Sequence, residues 1–263
     1  MTELTMYRAN EPGKTAVGTI AMCTRDKVSA ATAISWLMSD YSFLGPDEYV
    51  GRFIIQGHVL TMQRNECLKR MEGDWILFID DDMTWQPSAV KTLVETQREF
   101  DLDIVGGLCF QRGAPYQPTL YKTGSAGGQY TFMEVWPEDT AVEVDATGMA
   151  FTLVTRRAIE AMVPGWPTFE ERQNMPPPPV FKWTGELGED FLFCREAKEA
   201  GLHIFVDTSV KVGHISEITV NEETFYQQIA TRPPAVEELR RSQLGNLGLE
   251  VMTADMAKEK LGW

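Results

Sequence analysis

The chain has 263 residues, 43% of them hydrophobic, which is enough to bury the core of one large domain or of a domain with an appendage. Its 38 acidic residues outnumber 24 basic ones, and the net charge of -14 repels nucleic-acid backbones and anionic membrane surfaces over long range, leaving only a local basic groove open to such partners. The four cysteines, Cys23, Cys67, Cys109 and Cys194, do not form the close pairs of a zinc or redox motif and read as reduced, mostly buried thiols. There is no signal-peptide pattern at the start and no apolar run of membrane-spanning length, so the expected location is the cytoplasm.

The first apolar, β-branched run, "TAVGTIAM" (Thr15 to Met22), reads as a strand, and "VSAATAISWLM" after it carries its apolar residues on a helical face. A second β-α unit follows in "YVGRFII" (Tyr49 to Ile55) and "LTMQRNECLKRM", where Leu60, Cys67, Leu68 and Met71 are available for one face. Next come the strand "WILFI" and a helix from Ser88 to Phe100, with Pro87 in its first turn, where a missing N–H costs nothing. "DIVGGLCF" (Asp103 to Phe110) is a further strand. This alternation predicts a mostly parallel central sheet flanked by helices, with ligands bound beyond the carboxyl ends of the strands.

After Phe110 the character changes. "QYTFMEVW", "AVEVDA" and "GMAFTLVT" are shorter strands separated by Gly- and Pro-containing turns, predicting a small mixed or antiparallel sheet. "RRAIEAM" is helical, "NMPPPPVFKW" must be extended because proline excludes helix, and Glu189 to Ala200 is a helix ended by Gly201. "HIFVD" is another strand, with His214 soon after it. The predicted organisation is a domain over 1–220, with halves of about 15–110 and 111–220, and a partly helical extension over 221–263 that includes "AVEELRR".

Three consecutive carboxylates, Asp80, Asp81 and Asp82, end the strand "WILFI". Adjacent carboxylates raise one another's pKa and stay ionised only where a cation, strong donors or water compensates. If the backbone remains extended, Asp80 and Asp82 point to the same side and one Mg²⁺ or Mn²⁺ can see both. The alternative is a solvated acidic turn complementing the next helix. Glu189 and Asp190 by themselves equally describe an acidic first turn, and a lone His214 more often serves structure than metal.

At "FIDDDMTWQP" the chain resembles the DxD-containing GT-A nucleotide-sugar glycosyltransferases, in particular the family 2 group. "VDATGMAFTLVTRRAIEAM" resembles that family's acceptor-side strand and helix, "GELGEDFLFCREAKEAGLHIFVD" its "ED" helix and following strand, and "VGH" its late histidine. The resemblance spans roughly residues 15 to 215, and an ordered set of motifs is far more specific than DxD alone. It implies metal coordination by Asp80, Asp82 and His214, with Asp190 as catalytic base in an inverting transfer. It also implies that Asp80 and Asp81 take part in holding the donor, that Thr24 and Arg25 lie near the nucleotide, and that Arg64, with Asn65 in an "ARN"-like segment, lies near the diphosphate. Each of these could instead be an ordinary loop or helix residue.

The sequence departs from the family at "IIQGHV", which stands where "DDGS" is usual, so Gln56 is the available substitute for base recognition and uridine the default base. Implied partners are Mn²⁺ or Mg²⁺, a nucleoside-diphosphate sugar and an acceptor hydroxyl on a glycan, a small molecule or, as in some phages, a modified DNA base. Trp136, Trp166 and Trp183 offer stacking faces on the acceptor side, and Gly148 would let an acceptor approach backbone, although core packing and a strand-entry turn use the same residues. Two alternatives remain. "DDDMT" also fits the DxDx(T/V) pattern of metal-dependent phosphatases, which normally ends the first core strand, and a non-catalytic sugar-nucleotide-binding protein would keep the aspartates while dispensing with Asp190.

Overall fold

The structure is a computed structural model that describes residues 4–7, 13–113, 116–123, 129–216 and 253–262, together with 227, 230, 231, 234 and 238. The chain divides into two compact units, Met1–Ile215 and Ser216–Trp263. In the first unit the strands are β1 (Leu4–Tyr7), β2 (Thr15–Thr24), β3 (Glu48–Gln56), β4 (Trp75–Asp80), β5 (Met83–Trp85), β6 (Ile104–Leu108), β7 (Tyr121–Thr123), β8 (Tyr130–Phe132), β9 (Ala141–Val144), β10 (Phe151–Thr155) and β11 (Ile204–His214). The helices are α1 (Ala30–Met38), α2 (Leu60–Lys69), α3 (Ala89–Glu99), α4 (Arg156–Met162), α5 (Phe169–Gln173) and α6 (Glu189–Glu199); the second unit contributes α7 (Ala254–Leu261).

Among the described residues the strands form a nine-stranded sheet in the order β1-β3-β2-β4-β10-β6-β11-β5, with β9 also paired to β11, and a separate β7-β8 hairpin. β2 runs parallel to both β3 and β4, as the β-α-β pattern requires, and β6 is parallel to β11. β10 lies between β4 and β6 and is antiparallel to both. "GMAFTLVT" therefore belongs to the central sheet, and the small antiparallel sheet is built by β7 and β8.

β4 shows why its sequence is apolar from Trp75 to Ile79. Ile76 and Phe78 enter one core cluster with Cys67 and Leu68 of α2 and Phe193, Cys194 and Ala197 of α6. Leu77 and Ile79 enter the opposite cluster with Val90, Leu93 and Val94 of α3. A strand covered on both faces has no solvent-facing position, and each large side chain buried this way contributes about 1.5–3 kcal/mol. The start of β4 is fitted just as closely. A Cβ on Gly18 would sit 2.1 Å from the Trp75 indole, and one on Gly73, at φ +73°, would sit 2.2 Å from the Gly18 nitrogen. The indole fills the space that glycine leaves where the β2–β3 register shifts between Ala16 and Gly18.

The helices begin where capping chemistry permits. The Ser29, Thr155 and Thr253 side chains accept from backbone N–H groups at the starts of α1, α4 and α7, and Thr168 with Glu171 closes a capping box on α5. The polyproline segment 176–179 forms no element, and it leads into buried Val180 and Phe181. The helix expected around 235–241 lies outside the described residues but for Glu238. All four cysteines are free and buried. No helix among the described residues is long and apolar enough to cross a membrane.

Candidate active site

The three aspartates stand at the carboxyl end of β4, and the backbone does not continue extended through them. β4 ends at Asp80, and Asp81 and Asp82 form a turn into β5. This corrects the same-side geometry expected from alternation along a strand, because the three carboxylates face three different partners.

Asp80 Oδ1 lies 3.3 Å from Arg64 Nη2. Arg64, on α2, is 1% exposed and also binds Glu189 at 3.1 Å and Asp190 through Nη1, both in the first turn of α6. Its guanidinium lies 5.6 Å from the centre of the Phe181 ring, while its buried Nε has no hydrogen-bond partner among the described residues. Burial works against the Arg64 charge, but the attraction of Asp190, Asp80 and Glu189 outweighs it and holds the pKa above the ordinary arginine value. Asp80 moves the other way from its usual value: burial pushes it up, with further pressure from Asp190 and Asp82, and Arg64 offsets only part of this.

The Asp81 carboxylate accepts from the Thr24 hydroxyl at 2.6 Å, and its carbonyl accepts from Ser29 N–H at 3.1 Å, which ties the loop after β2 to the acidic turn. Arg25 is exposed on that loop, and Gln56 is exposed at the last position of β3. Gln63, which carries no local signal in the sequence, joins these strand ends: its buried amide donates to the carbonyls of Thr24 and Ile55 at 2.5 and 2.9 Å.

Asp82 faces His214. β11 runs on to His214, which pairs with Met83 across the β5–β11 ladder, and Ile215 N–H donates to the Asp82 carbonyl at 2.8 Å. His214 Nε2 thereby lies 3.2 Å from Asp82 Oδ1, and Nδ1 lies 2.9 Å from the Phe110 carbonyl. The carbonyl can only accept, so Nδ1 carries a proton and Nε2 faces the carboxylate. The hydrogen bond to Asp82 raises the His214 pKa against the opposing effect of burial, and the same contact, with Arg112, outweighs burial to hold Asp82 below the usual carboxylate range. Arg112, exposed at 63%, donates to Asp82 Oδ2 at 2.7 Å.

These contacts test the fit of a divalent cation. Two donors on adjacent corners of an octahedral Mg²⁺ or Mn²⁺ site, about 2.1 Å from the metal, are separated by about 3.0 Å. The Asp82–His214 separation and the Nδ1–H of His214 suit such a pair. No group of three or more His, Cys, Asp and Glu side chains among the described residues is gathered as a metal cluster, and the Asp80 carboxylate is turned towards Arg64.

Asp190 is held from two sides, by Arg64 on Oδ1 and by Met149 N–H at 3.3 Å on Oδ2. A Cβ on Gly148 would meet Asp190 Oδ2 at 3.7 Å, an ordinary contact, so packing within the chain does not demand glycine there. Asn65 points away from the acidic group, and its amide exchanges two 2.8 Å hydrogen bonds with the backbone of Phe181. Phe181 in turn stacks on Phe193 at 4.9 Å. Among the tryptophans, Trp136 packs edge-on to Phe110 and Trp166 lies 4.8 Å from the Arg172 guanidinium, while Trp183 is 67% exposed.

Residues 55–153 match the family described as Glycosyl transferase family 2. No curated protein matches the sequence. Among solved structures, the crystal structure of A197 from STIV is 17% identical, with 77% of this chain aligned to 86% of that one at a TM-score of 0.47. The crystal structure of GalNAc-T7 with UDP, GalNAc and Mn2+ is 9% identical and aligns with 98% of this chain at a TM-score of 0.52; the chain spans 60% of that protein's length. The helix-flanked mixed sheet and separate small antiparallel sheet agree with that fold. The family 2 match lies over the strand and turn that carry Asp80, Asp81 and Asp82, so this part of the chain is similar to glycosyltransferase family 2, within a sheet and helix arrangement of GT-A type.

Proposed function

We propose that the protein is a metal-dependent, inverting glycosyltransferase that moves a sugar from a nucleoside-diphosphate sugar to an acceptor hydroxyl. The observation that carries this reading is the Arg64 bridge. One guanidinium binds Asp80 of the acidic strand end and Asp190 of α6, so groups 110 residues apart in sequence share one site.

Asp82 and His214 are the residues that would hold the cation, with Asp80 beside them. When bound, the cation supplies Lewis-acid stabilisation of the departing nucleoside diphosphate. Asp190 takes the acceptor proton through Oδ2, while the acceptor oxygen bonds to the anomeric carbon and the bond from that carbon to the diphosphate oxygen breaks. Arg64 and the Met149 N–H fix the orientation of that carboxylate before the acceptor arrives, which lowers the entropic cost of reaching the transition state. Thr24, Arg25, Gln56 and Asp81 line the strand ends on the donor side. Uridine remains the default base, and the UDP and Mn2+ named with the GalNAc-T7 structure agree with that choice. Exposed Trp183 is the face offered to an acceptor glycan or base.

The test is a screen of nucleoside-diphosphate sugars with Mn²⁺ or Mg²⁺, reading free nucleoside diphosphate and transferred sugar separately. Release of inorganic phosphate in place of nucleoside diphosphate would move the assignment to the phosphatase reading. Donor binding with no turnover on any acceptor would favour a binding protein.

A further inference from the structure

The site carries more negative charge than one cation neutralises. Asp80, Asp82, Glu189 and Asp190 pair with two guanidiniums, Arg64 and Arg112, and Asp81 beside them is held by the Thr24 hydroxyl, so five carboxylates against two cations leave an excess of three negative charges when His214 is neutral. A divalent cation leaves an excess of one, and a nucleoside-diphosphate sugar then adds two more. Arg64 is 1% exposed and already engaged by three carboxylates and the Phe181 ring.

Arg112 is differently placed. Its backbone is held at the base of the loop between β6 and β7, where Gln111 N–H donates to the Gln117 carbonyl at 2.8 Å, Thr119 N–H donates to the Cys109 carbonyl at 2.9 Å and Phe110 bridges Pro118. The side chain stands in solvent, and its one polar contact among the described residues is the single-pronged bond to Asp82 Oδ2. Asp82 is also the residue whose other oxygen faces His214. A cation bound between Asp82 and His214 would lie beside this guanidinium, and two like charges on one carboxylate repel. An exposed ion pair is weak enough to break, and a guanidinium binds a phosphate through two prongs where it now binds Asp82 through one.

We propose that Arg112 is a diphosphate-binding residue held in reserve on Asp82. With Asp82 and His214 holding a cation, Asp82 would no longer retain Arg112, and the freed guanidinium would pair with the phosphate oxygens of the donor, where charge would grow as the nucleoside diphosphate leaves. The assignment rests on the glycosyltransferase reading for its anion and on the Arg112–Asp82 contact for its geometry.

The experiment is titration calorimetry on the full chain with Mn²⁺ alone, then with UDP, GDP and ADP in saturating Mn²⁺, for wild type, Arg112→Gln and Arg112→Lys. The expected pattern has opposite signs. Arg112→Gln binds Mn²⁺ alone about 2- to 5-fold more tightly, having lost a competitor worth an exposed ion pair, and binds the nucleoside diphosphate about 10-fold or more weakly, having lost a charged hydrogen-bond pair. Arg112→Lys keeps the charge without the fork, so its diphosphate affinity falls several-fold, whereas a charge acting only from a distance would leave it at the wild-type value. Unchanged diphosphate affinity in Arg112→Gln, or a wild-type value for Arg112→Lys, overturns the assignment while leaving the glycosyltransferase reading intact. Wild type that binds Mn²⁺ but none of the three nucleotides overturns both. The thermal midpoint of each variant shows that an exposed side chain was changed without loss of the fold.

Discussion

Replacing Arg64 by methionine tests the densest set of charges in the protein. The substitution keeps most of the apolar stem and removes the guanidinium from between Asp80, Glu189 and Asp190. Breaking a buried ion pair by removing one partner costs about 3–5 kcal/mol, because the other partner is left charged in a poor solvent. Here the remaining partners are not sealed in: Arg64 is 1% exposed, whereas the three carboxylate side chains are 17 to 28% exposed and can draw in water. That places the loss near the lower end, about 3 kcal/mol. For a unit of this size each kcal/mol moves the thermal midpoint by about 2–4 °C, so the expected drop is about 6–12 °C.

The assay is denaturant and thermal unfolding of Arg64→Met beside a triple variant that adds Glu189→Gln and Asp190→Asn. Two of the three unpaired charges are then gone, so the triple variant recovers about half of the loss or more, a non-additivity expected only of groups sharing one network. An Arg64→Met protein within about 1 kcal/mol of wild type would refute the reasoning, since a change of that size belongs to an exposed side chain. A phosphate-facing arginine on the surface would show the reverse order, with donor affinity falling and stability unchanged.

Three further outcomes follow from the same geometry. Asp82→Ala should weaken Mn²⁺ binding at least about 10-fold, since it removes one member of the candidate ligand pair, and calorimetry reads this directly. Asp190→Asn should lower transfer about 100-fold or more while nucleoside-diphosphate affinity stays within about 2-fold, because a base acts on the acceptor in the transition state and not on the bound donor; near-normal transfer by the folded variant rules out the base. Gly18→Ala should cost about 1–3 kcal/mol in denaturant unfolding, because its Cβ would fall 2.1 Å from the Trp75 indole and both sit in a packed layer; an unchanged midpoint would mean that the indole has another place to go.

What the sequence discloses follows the range of the forces involved. Strands such as "WILFI" and helices such as "RRAIEAM" are legible because periodicity and capping act within a few residues, and their bounds agree closely with β4 and α4. β1 and β5 were missed because four- and three-residue strands carry no period of their own and exist only through their partners β3 and β11. The insertion of β10 between β4 and β6 is likewise a matter of pairing, which composition does not encode. In the site, the order of Asp80, Asp190 and His214 was visible, but not that β11 continues past "HIFVD" to bring His214 beside Met83. Arg112 lacked any local signal: an arginine in a glycine-containing turn acquires meaning only when another loop places Asp82 2.7 Å away.

The three adjacent carboxylates at the end of an apolar strand each already have a side-chain partner: Arg64 for Asp80, the Thr24 hydroxyl for Asp81, His214 and Arg112 for Asp82. A cation is therefore not required to keep the strand end folded, which separates this site from structural metal centres whose binding energy is the folding energy. Two consequences can be measured together. Extensive dialysis against a chelator should leave the far-ultraviolet circular dichroism and the cooperative unfolding transition in place. Adding Mn²⁺ back should raise the midpoint only by the mass-action amount, about 2.7 kcal/mol of added stability when free metal is 100-fold above its dissociation constant. A chain that loses its secondary structure in chelator would show that the side-chain partners do not suffice and that the metal, not Arg64 and His214, holds the acidic turn.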